Sequence, residues 1–323
     1  MMNPTNPVIP TSPTICTQGL QKSFGKTEVL RGIDLDVPEG AIYALVGANG
    51  AGKTTMIKVM MNILRPTAGH VRVLGLDSEK IAGEAFTRIG YVSENQEMPD
   101  AMTVGAMLDY VRAFYPRWDR GLEQQLVRQF NLPLDRKLKH LSRGMKMKVA
   151  FASSLAYRPK LIVLDEPFSG LDPLVRDELI EGLLERAPET TIFLSSHDLA
   201  EIESFASHVG FLEDGRMLFS DEMAVLSERF REVTVTLDAP APLPRELPAS
   251  WLLPETIDCV VRFIASEYHG EATAREIAAM LPGVRDVEVE AMPLRAIFLA
   301  IAKTGRGQGH AGRSAAGNRR LEA

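Results

Sequence analysis

A glycine-rich segment constrains the fold of this chain more than any other feature. Residues 47–54 read Gly-Ala-Asn-Gly-Ala-Gly-Lys-Thr and match the pattern G-x-x-x-x-G-K-[ST] at every position. An apolar run over 42–46 precedes the segment and a helical pattern over 55–64 follows it, which favours a strand–loop–helix unit. Such a loop directs backbone N–H groups and the positive end of the helix at phosphate oxygens. The pattern therefore predicts a phosphate-binding loop within an α/β fold.

This loop and the first helical turn provide the predicted contacts to a nucleotide. Lys53 would place a positive charge beside the β- and γ-phosphates, and the hydroxyl of Thr54 is a candidate ligand of Mg²⁺. A fortuitous glycine-rich turn is the alternative, and the flanking strand and helix patterns argue against it. The residues predicted to contact the nucleotide are Gly47, Asn49, Gly50, Ala51, Gly52, Lys53, Thr54 and Thr55.

Two adjacent acidic residues complete the predicted site. The apolar run 161–164 ends at Asp165 and Glu166, and buried strands rarely end in two carboxylates unless the charges have partners. We expect Asp165 to hold Mg²⁺, and Glu166 to orient or deprotonate the attacking water. A pair that only caps the next turn is the weaker interpretation because a phosphate loop is already present. The sequence has no guanine-reading [NT]-K-x-D segment, so ATP is favoured over GTP.

The overall composition narrows the class of protein. The chain has 323 residues, of which 45% are hydrophobic and 24% charged, so it is long enough for a large core and a smaller second unit. Its two cysteines cannot form a disulfide framework. Its apolar runs fall short of the ~18–20 residues that a membrane-spanning helix needs. These observations predict a chain that is soluble by itself and not a secreted disulfide scaffold.

Charge is unevenly distributed along the chain. The net charge is −6, yet residues 303–323 carry five basic residues against one acidic residue, so the remainder is more acidic than the whole chain. Proteins that mainly bind nucleic acid usually have a basic folded body. We therefore expect no specific nucleic-acid partner, and interpret the basic end as a disordered, solvated tail.

Periodicity and proline content divide the chain into four predicted parts. They are a flexible leader, an α/β domain, a small accessory α+β domain and the basic tail, at 1–14, 15–231, 232–302 and 303–323. Prolines over 239–254 mark a break, because proline cannot continue a helix or a central strand. The predicted strands are 42–46, 161–164, 191–195, 232–237, 259–265 and 284–289, and the predicted helices are 55–64, 173–186, 273–281 and 294–303.

Further segments, at characteristic spacings, carry a family resemblance. Residues 141–145 (Leu-Ser-Arg-Gly-Met) resemble the L-S-G-G-Q signature of ATP-binding-cassette (ABC) ATPases, and residues 169–172 (Ser-Gly-Leu-Asp) resemble their D-loop. His197 follows a predicted strand, as the switch histidine of that family does, and residues 22–25 (Lys-Ser-Phe-Gly) resemble the aromatic A-loop. The resemblance covers about 15–231. It implies a P-loop NTPase with a RecA-like core, an antiparallel β subdomain and a helical signature subdomain, followed by the α+β extension.

The resemblance also implies roles for individual residues. Phe24 would stack on the adenine ring, and His197 would contact the γ-phosphate. Ser142 and Gly144 would form a second phosphate-binding surface that serves the nucleotide held by another subunit. Asp172 would link the two sites, so that two copies enclose two ATP molecules and hydrolysis requires closure of the dimer.

Two departures from the family pattern are visible in the sequence. Glu94 occupies the position of the Q-loop glutamine, where it is a candidate contact to Mg²⁺ or water, and Gln96 is a second candidate for that role. The signature has Arg143 and Met145 where the family has glycine and glutamine. We expect ATP hydrolysis in spite of these departures.

Within the family, the chain is similar to ATP-binding subunits of bacterial exporters whose permease is a separate polypeptide. This finer resemblance rests on residues 115–119, 130–134, 141–145 and 293–299. It implies ATP hydrolysis coupled to transport, integral-membrane permease partners, a second ATPase subunit that is identical or related, and a place at the cytoplasmic face of the membrane.

The segment 91–115 is predicted to form a groove for a permease helix. Met98, Met102 and Phe114 are candidates to line it, with core packing as the alternative for each. Two other functions stay open: a non-transport ABC ATPase that acts on ribosomes or nucleic acid, and a regulatory nucleotide binder without hydrolysis, to which Glu94 and Met145 point.

Overall fold

The computed structural model describes residues 13–301 together with 303 and 304. Most of the predicted leader 1–14, and all but the first two residues of the predicted tail 303–323, lie outside the described residues. Over the part that is described, no helix is both long enough and apolar enough to cross a membrane.

The chain divides into two compact units between Ser220 and Asp221. This division lies before the domain boundary predicted after residue 231, and the helix that follows Asp221 falls in the second unit. That helix is tied there by a backbone hydrogen bond of 2.9 Å, which the N–H of Tyr268 donates to the carbonyl oxygen of Arg229. Proline content marked the later break at 239–254 but carries no signal at this boundary.

The strands and helices are numbered here in chain order. The strands are β1 (Ile15–Phe24), β2 (Thr27–Val37), β3 (Ile42–Val46), β4 (Ala68–Val73), β5 (Leu76–Asp77), β6 (Ile89–Ser93), β7 (Leu161–Asp165), β8 (Thr191–Ser196), β9 (His208–Glu213), β10 (Arg216–Glu222), β11 (Arg231–Leu237), β12 (Trp251–Ile257), β13 (Val260–Ala265) and β14 (Val284–Ala291). The α-helices are α1 (Lys53–Met60), α2 (Val104–Arg112), α3 (Arg120–Gln129), α4 (Arg143–Leu155), α5 (Pro173–Leu184), α6 (Leu199–Ile202), α7 (Met223–Arg229) and α8 (Glu271–Met280). A further helical segment covers 294–301.

A six-stranded sheet forms the centre of the first unit, in the order β10-β9-β3-β8-β7-β6. β3 is parallel to β8 and β9, and β7 is parallel to β6 and β8. Every residue of β3, β7 and β8 is buried, as expected of parallel strands that are covered on both faces. The strands predicted at 42–46, 161–164 and 191–195 are confirmed, and their carboxyl ends meet at one edge of the sheet.

A four-stranded antiparallel sheet, in the order β2-β1-β4-β5, packs beside this centre. Its apolar side chains share one core with α1 and β3, which explains why α1 can be short and yet firmly placed. Buried members of that core are Ile15, Leu20, Ile33, Tyr43, Leu45, Met56 and Met60. The shared core holds the helix that begins at the phosphate loop.

Helices α2 and α3 both contact α4, which is the most buried helix of this region. Nine of the 13 residues of α4 are buried, and Ser142 caps its N-terminus by accepting a hydrogen bond of 3.2 Å from the backbone N–H of Met145. The buried ammonium of Lys148 pairs with Glu178 of α5. This arrangement is the helical signature subdomain that the resemblance implies.

The second unit is built on an antiparallel sheet in the order β12-β13-β11-β14. The rings of Trp251 and Phe263 stack with centroids 3.8 Å apart and planes 9° apart, beside the buried Ile277 of α8. β12 begins inside the predicted break 239–254, although it contains Pro254. It is an edge strand with an irregular register around that proline, and an edge strand tolerates a missing N–H.

We expect Phe263→Ala to destabilise the second unit by about 3–5 kcal/mol, because the substitution removes a buried aromatic ring and leaves a cavity under Trp251. Denaturant unfolding followed by tryptophan fluorescence measures the change. Ile257→Ala in the same sheet is the control, since that side chain is 68% exposed and its truncation is expected to change stability by about 0.5 kcal/mol or less. Equal effects of the two substitutions would contradict the packing described here.

Candidate active site

The phosphate loop turns between β3 and α1, and two of its glycines are required by close packing. Gly52 has φ of +113° and lies at the N-cap of α1, where a Cβ would come within 2.7 Å of Leu30 Cδ2. A Cβ on Gly47 would lie 2.2 Å from the carbonyl oxygen of Leu212. Helix α1 therefore begins at Lys53, two residues before the predicted start, and its N-terminal N–H groups face the loop.

Lys53 lies at the centre of the loop with only 5% of its surface exposed. Its ammonium donates to the carbonyl oxygens of Gly47 at 2.6 Å and Ala48 at 3.2 Å, and it lies 3.0 Å from Glu166 Oε1. A buried ammonium needs such partners. The contacts hold a positive charge between the phosphate loop and the acidic strand end, where phosphate oxygens of a nucleotide would compete for it.

Asp165 ends the buried strand β7 and receives two hydroxyl hydrogen bonds. Thr54 Oγ1 donates to Asp165 Oδ1 at 3.1 Å, and Ser195 Oγ donates to the same oxygen at 2.8 Å. Ser195 comes from β8, directly beside Asp165 in the parallel register. The hydroxyl and the carboxylate that were predicted to share Mg²⁺ thus lie in contact, although they are far apart in sequence.

Glu166 lies next to Asp165 but directs its carboxylate at other groups. Its φ is +50°, and its backbone N–H donates to Ser195 Oγ at 3.0 Å. Glu166 Oε2 lies 2.7 Å from His197 Nδ1, and its other oxygen faces Lys53. The carboxylate is therefore held between a lysine and a histidine, an arrangement suited to orienting a water molecule beside a phosphate.

The oxygen groups at this edge fit Mg²⁺. In the chain as described, no group of three or more His, Cys, Asp or Glu side chains could hold a metal ion by itself. Mg²⁺ commonly uses one or two protein oxygens and completes its octahedron with phosphate oxygens and water. The paired Thr54 hydroxyl and Asp165 carboxylate provide a donor set of this kind.

A second group of predicted residues surrounds the N-terminus of α4. Arg143 Nη2 donates to Glu94 Oε1 at 2.7 Å, so the two departures from the family pattern contact each other. Burial by itself raises the pKa of the Glu94 carboxyl, but hydrogen bonds from Arg143 and Ser169 outweigh it and hold that pKa below its ordinary value. The carboxylate predicted to contact Mg²⁺ or water is therefore engaged by the signature segment in this chain.

The remaining predicted residues occupy separate positions. Gly144 packs against Val175, where a Cβ would lie 3.0 Å from Val175 Cγ1. Asp172 caps α5 by accepting a hydrogen bond of 2.9 Å from the backbone N–H of Leu174. Phe24 ends β1, is 47% exposed, and has the Lys22 ammonium 5.1 Å from its ring centroid. Its exposed face is available for stacking on a base.

The structure thus brings the predicted residues into two groups. The first group lies at the carboxyl ends of the parallel strands and consists of Lys53, Thr54, Asp165, Glu166 and His197. The second group lies at the start of α4 and consists of Ser142, Gly144 and Glu94. Their roles toward a nucleotide stay predictions.

Sequence reasoning missed Ser195 as a site residue. Ser195 bonds to both Asp165 and Glu166. Its signal was present, because it is a polar residue near the end of an apolar run that leads to His197. The other candidate for the glutamine role is Gln96. Its side-chain oxygen is buried and has no hydrogen-bond partner among the described residues, and the residue borders the same small cavity as Glu94 and Met98.

Three comparisons show which known proteins this chain is similar to. The family profile described as ABC transporter matches residues 30–169. The bacitracin transport ATP-binding protein BcrA of Enterococcus faecalis is 32% identical over 222 residues, which cover 68% of this chain and 72% of that protein. A solved structure described as the ATP binding subunit of an ABC transporter is 27% identical, covers 67% of this chain and 92% of that chain, and has a TM-score of 0.61.

A longer match reaches into the second unit. The uncharacterized ABC transporter ATP-binding protein YhaQ of Bacillus subtilis (strain 168) is 30% identical over 291 residues, which cover 86% of this chain and 95% of that protein. That span is longer than the first unit, which ends at Ser220. The second unit is therefore shared, at least in part, with a protein of the same description.

Proposed function

Because this chain belongs to the ABC transporter family, as an ATP-binding subunit and an ATPase, we propose that it forms half of a dimer that closes around ATP and drives export through separate membrane permeases. The observation that supports the ATPase part most directly is the convergence of Lys53, Thr54, Asp165 and Glu166 at one sheet edge. Export as the direction rests on the resemblance to exporter subunits and on relatives named for bacitracin and lantibiotic transport.

The proposed reaction is in-line attack of water on the γ-phosphorus, with ADP as the leaving group. Glu166 orients the water and accepts its proton, and His197 holds the Glu166 carboxylate in place. Lys53 stabilises the negative charge that develops on the transferring phosphoryl group. Mg²⁺, when bound by Thr54 and Asp165, would neutralise charge on the β- and γ-phosphate oxygens. Phe24 positions the adenine.

Closure of a dimer completes this proposed site. Ser142 is the N-cap of the 13-residue helix α4 and Gly144 is its second residue, and a helix N-terminus favours an anion. In the family to which the chain belongs, this surface serves the nucleotide on the other subunit, so Ser142 would act in trans. The partner is an identical or a related chain.

An apolar cavity of about 330 Å³ supports the permease part of the proposal. Val111 at the end of α2, the nearby Tyr115, and Ile63 after α1 border it, and Ile63 is 56% exposed. Five of the residues that border the cavity belong to segment 91–115, for which a groove was predicted, but Met98, Met102 and Phe114 do not border it. Of the three side chains predicted to line that groove, Phe114 is exposed, whereas Met98 and Met102 are half-buried.

Co-purification with a membrane protein tests the transport proposal. We expect the tagged chain to retain a permease in detergent extracts, and Ile63→Asp to reduce that recovery about tenfold, because a carboxylate would be desolvated in the groove. Ile257→Asp is the matched control, since Ile257 is also largely exposed, at 68%, but lies in the second unit. If Ile63→Asp recovered as much permease as the original chain, the groove would not be the permease-binding surface. Recovery of ribosomes or nucleic acid instead of a permease would favour the non-transport alternative.

A further inference from the structure

Glu94 connects two parts of the site that serve different nucleotides in the proposed dimer. Its backbone N–H donates to the carbonyl oxygen of Asp165 at 2.9 Å, so its main chain is fixed to the residue predicted to hold the chain's own metal ion. Its carboxylate accepts from Arg143 at 2.7 Å, the first residue of the helix whose N-terminus serves the other subunit. One residue therefore contacts both sides.

Arg143 extends this connection to the loop after Glu166. A Cβ built on Gly170 would lie 3.2 Å from Arg143 Nη1, so the guanidinium packs closely against the Gly170 backbone. Ser169, the preceding residue, helps to hold the pKa of the Glu94 carboxyl below its ordinary value. The ion pair is thus enclosed by three segments, namely the end of β6, the start of α4 and the D-loop.

The positive charge of Arg143 and the negative charge of Glu94 compensate each other. An arginine at position 143 without Glu94 would place an uncompensated cation at the helix N-terminus, which already carries a partial positive charge. A carboxylate at position 94 without Arg143 would place a second negative charge near Asp165. Together they form a charge-assisted hydrogen bond, whereas the family pattern of glutamine and glycine has neither charge. Their contact is the physical reason to consider the departures as one feature.

We propose that the Glu94–Arg143 pair is a positioning element that couples the chain's own metal site to the orientation of its signature helix. A shift of Asp165 or Glu94 on nucleotide binding would be transmitted through the guanidinium to α4 and to Gly170. Arg143 acts through Glu94 in the same chain and does not act as a ligand of the partner's nucleotide. This inference rests on the proposed ATP-dependent closure.

A double-mutant cycle on the full chain tests the coupling. Glu94→Gln and Arg143→Gly are each expected to lower kcat for ATP about 5- to 20-fold with KM changed by about twofold or less, because closure is impaired and not nucleotide binding. The double variant, which has the uncharged pair of the family pattern, is expected to return within about threefold of the original kcat. Arg143→Lys should retain part of the activity, since lysine keeps the positive charge but lacks the paired N–H donors of the guanidinium.

The outcomes separate the inference from simpler explanations. A double variant whose loss equals the product of the two single losses overturns the coupling, and so do single variants with unchanged kcat. A third outcome is a lower kcat in Arg143→Gly and in the double variant but not in Glu94→Gln. That result would overturn the coupling and assign Arg143 to the phosphate of the nucleotide on the partner subunit. Absence of any turnover in the original chain would count against the proposed ATPase dimer and not against the ion pair.

A second measurement does not depend on turnover. In the Glu166→Gln background, Mg·ATP is expected to slow hydrogen exchange of the backbone amides over 143–148 when the ion pair is present. The same addition should change that exchange much less in Arg143→Gly and in Glu94→Gln. A purely stabilising ion pair would change exchange equally with and without nucleotide, and that result would overturn the proposal.

Discussion

Glu166→Gln is expected to lower steady-state ATP turnover by about 10²–10³-fold while ATP still binds. The amide has nearly the same shape as the carboxylate and can remain between Lys53 and His197, but it cannot accept the proton of the attacking water. ATP would therefore persist, and we expect an ATP-dependent dimer that size-exclusion chromatography detects as a stable species. Phosphate release measured at saturating ATP gives the change in rate.

Glu84→Gln is the control for this experiment, because Glu84 is exposed and lies outside the site. Its turnover should match that of the original chain. If Glu166→Gln retained full turnover, the carboxylate would not be the group that activates water, and catalysis would have to rest on Lys53, the metal and the phosphate loop. A variant that loses ATP binding as well would show that Glu166 mainly orders Lys53.

Lys53→Ala is expected to reduce turnover by about 10³-fold or more and to weaken ATP binding. The ammonium is the buried cation at the centre of the loop, and removal of a group that stabilises charge in the transition state commonly costs a few kcal/mol. The same substitution leaves Glu166 without its cationic neighbour at 3.0 Å, which would displace the carboxylate from the water. Calorimetry measures binding and phosphate release measures turnover.

Lys58→Ala provides a matched control for the loss of a lysine from α1. Lys58 lies in the last turn of the same helix, away from the phosphate loop, so turnover should change by about twofold or less. Turnover by Lys53→Ala within about tenfold of that of the original chain at saturating ATP would contradict the assignment of Lys53.

Contiguous features of the sequence were predictive because short-range physical chemistry controls them. Each of three predicted features occupies fewer than ten consecutive residues: the phosphate loop, the buried strand before it and the acidic end of β7. Apolar runs without alternation indicated parallel strands, and β3 has the predicted bounds. Helix ends were less accurate: α1 begins at Lys53 because Gly52 adopts a positive φ, which residue type alone does not specify.

Contacts between distant segments were not predictable in the same way. Ser195 reaches Asp165 only because β8 lies beside β7 in register. Strand β12 was missed because Pro254 excludes a central strand, while the tertiary structure places β12 at an edge where the missing N–H costs little. The division at Ser220 likewise depends on which unit packs around α7 and not on local composition.

The pair formed by Glu94 and Arg143 illustrates this division between local and long-range information. From sequence, each residue is a separate departure from a known pattern, and each raises doubt about the chemistry. In the folded chain Arg143 Nη2 lies 2.7 Å from Glu94 Oε1, because the end of β6 and the start of α4 converge beside Asp165. Residue types and spacings were sufficient to identify the ATPase motifs and the α/β class. The tertiary structure decided which charges offset each other and which loops share one ion pair. These pairings depend on the packing of segments distant in sequence, since electrostatic partners are set by proximity in space.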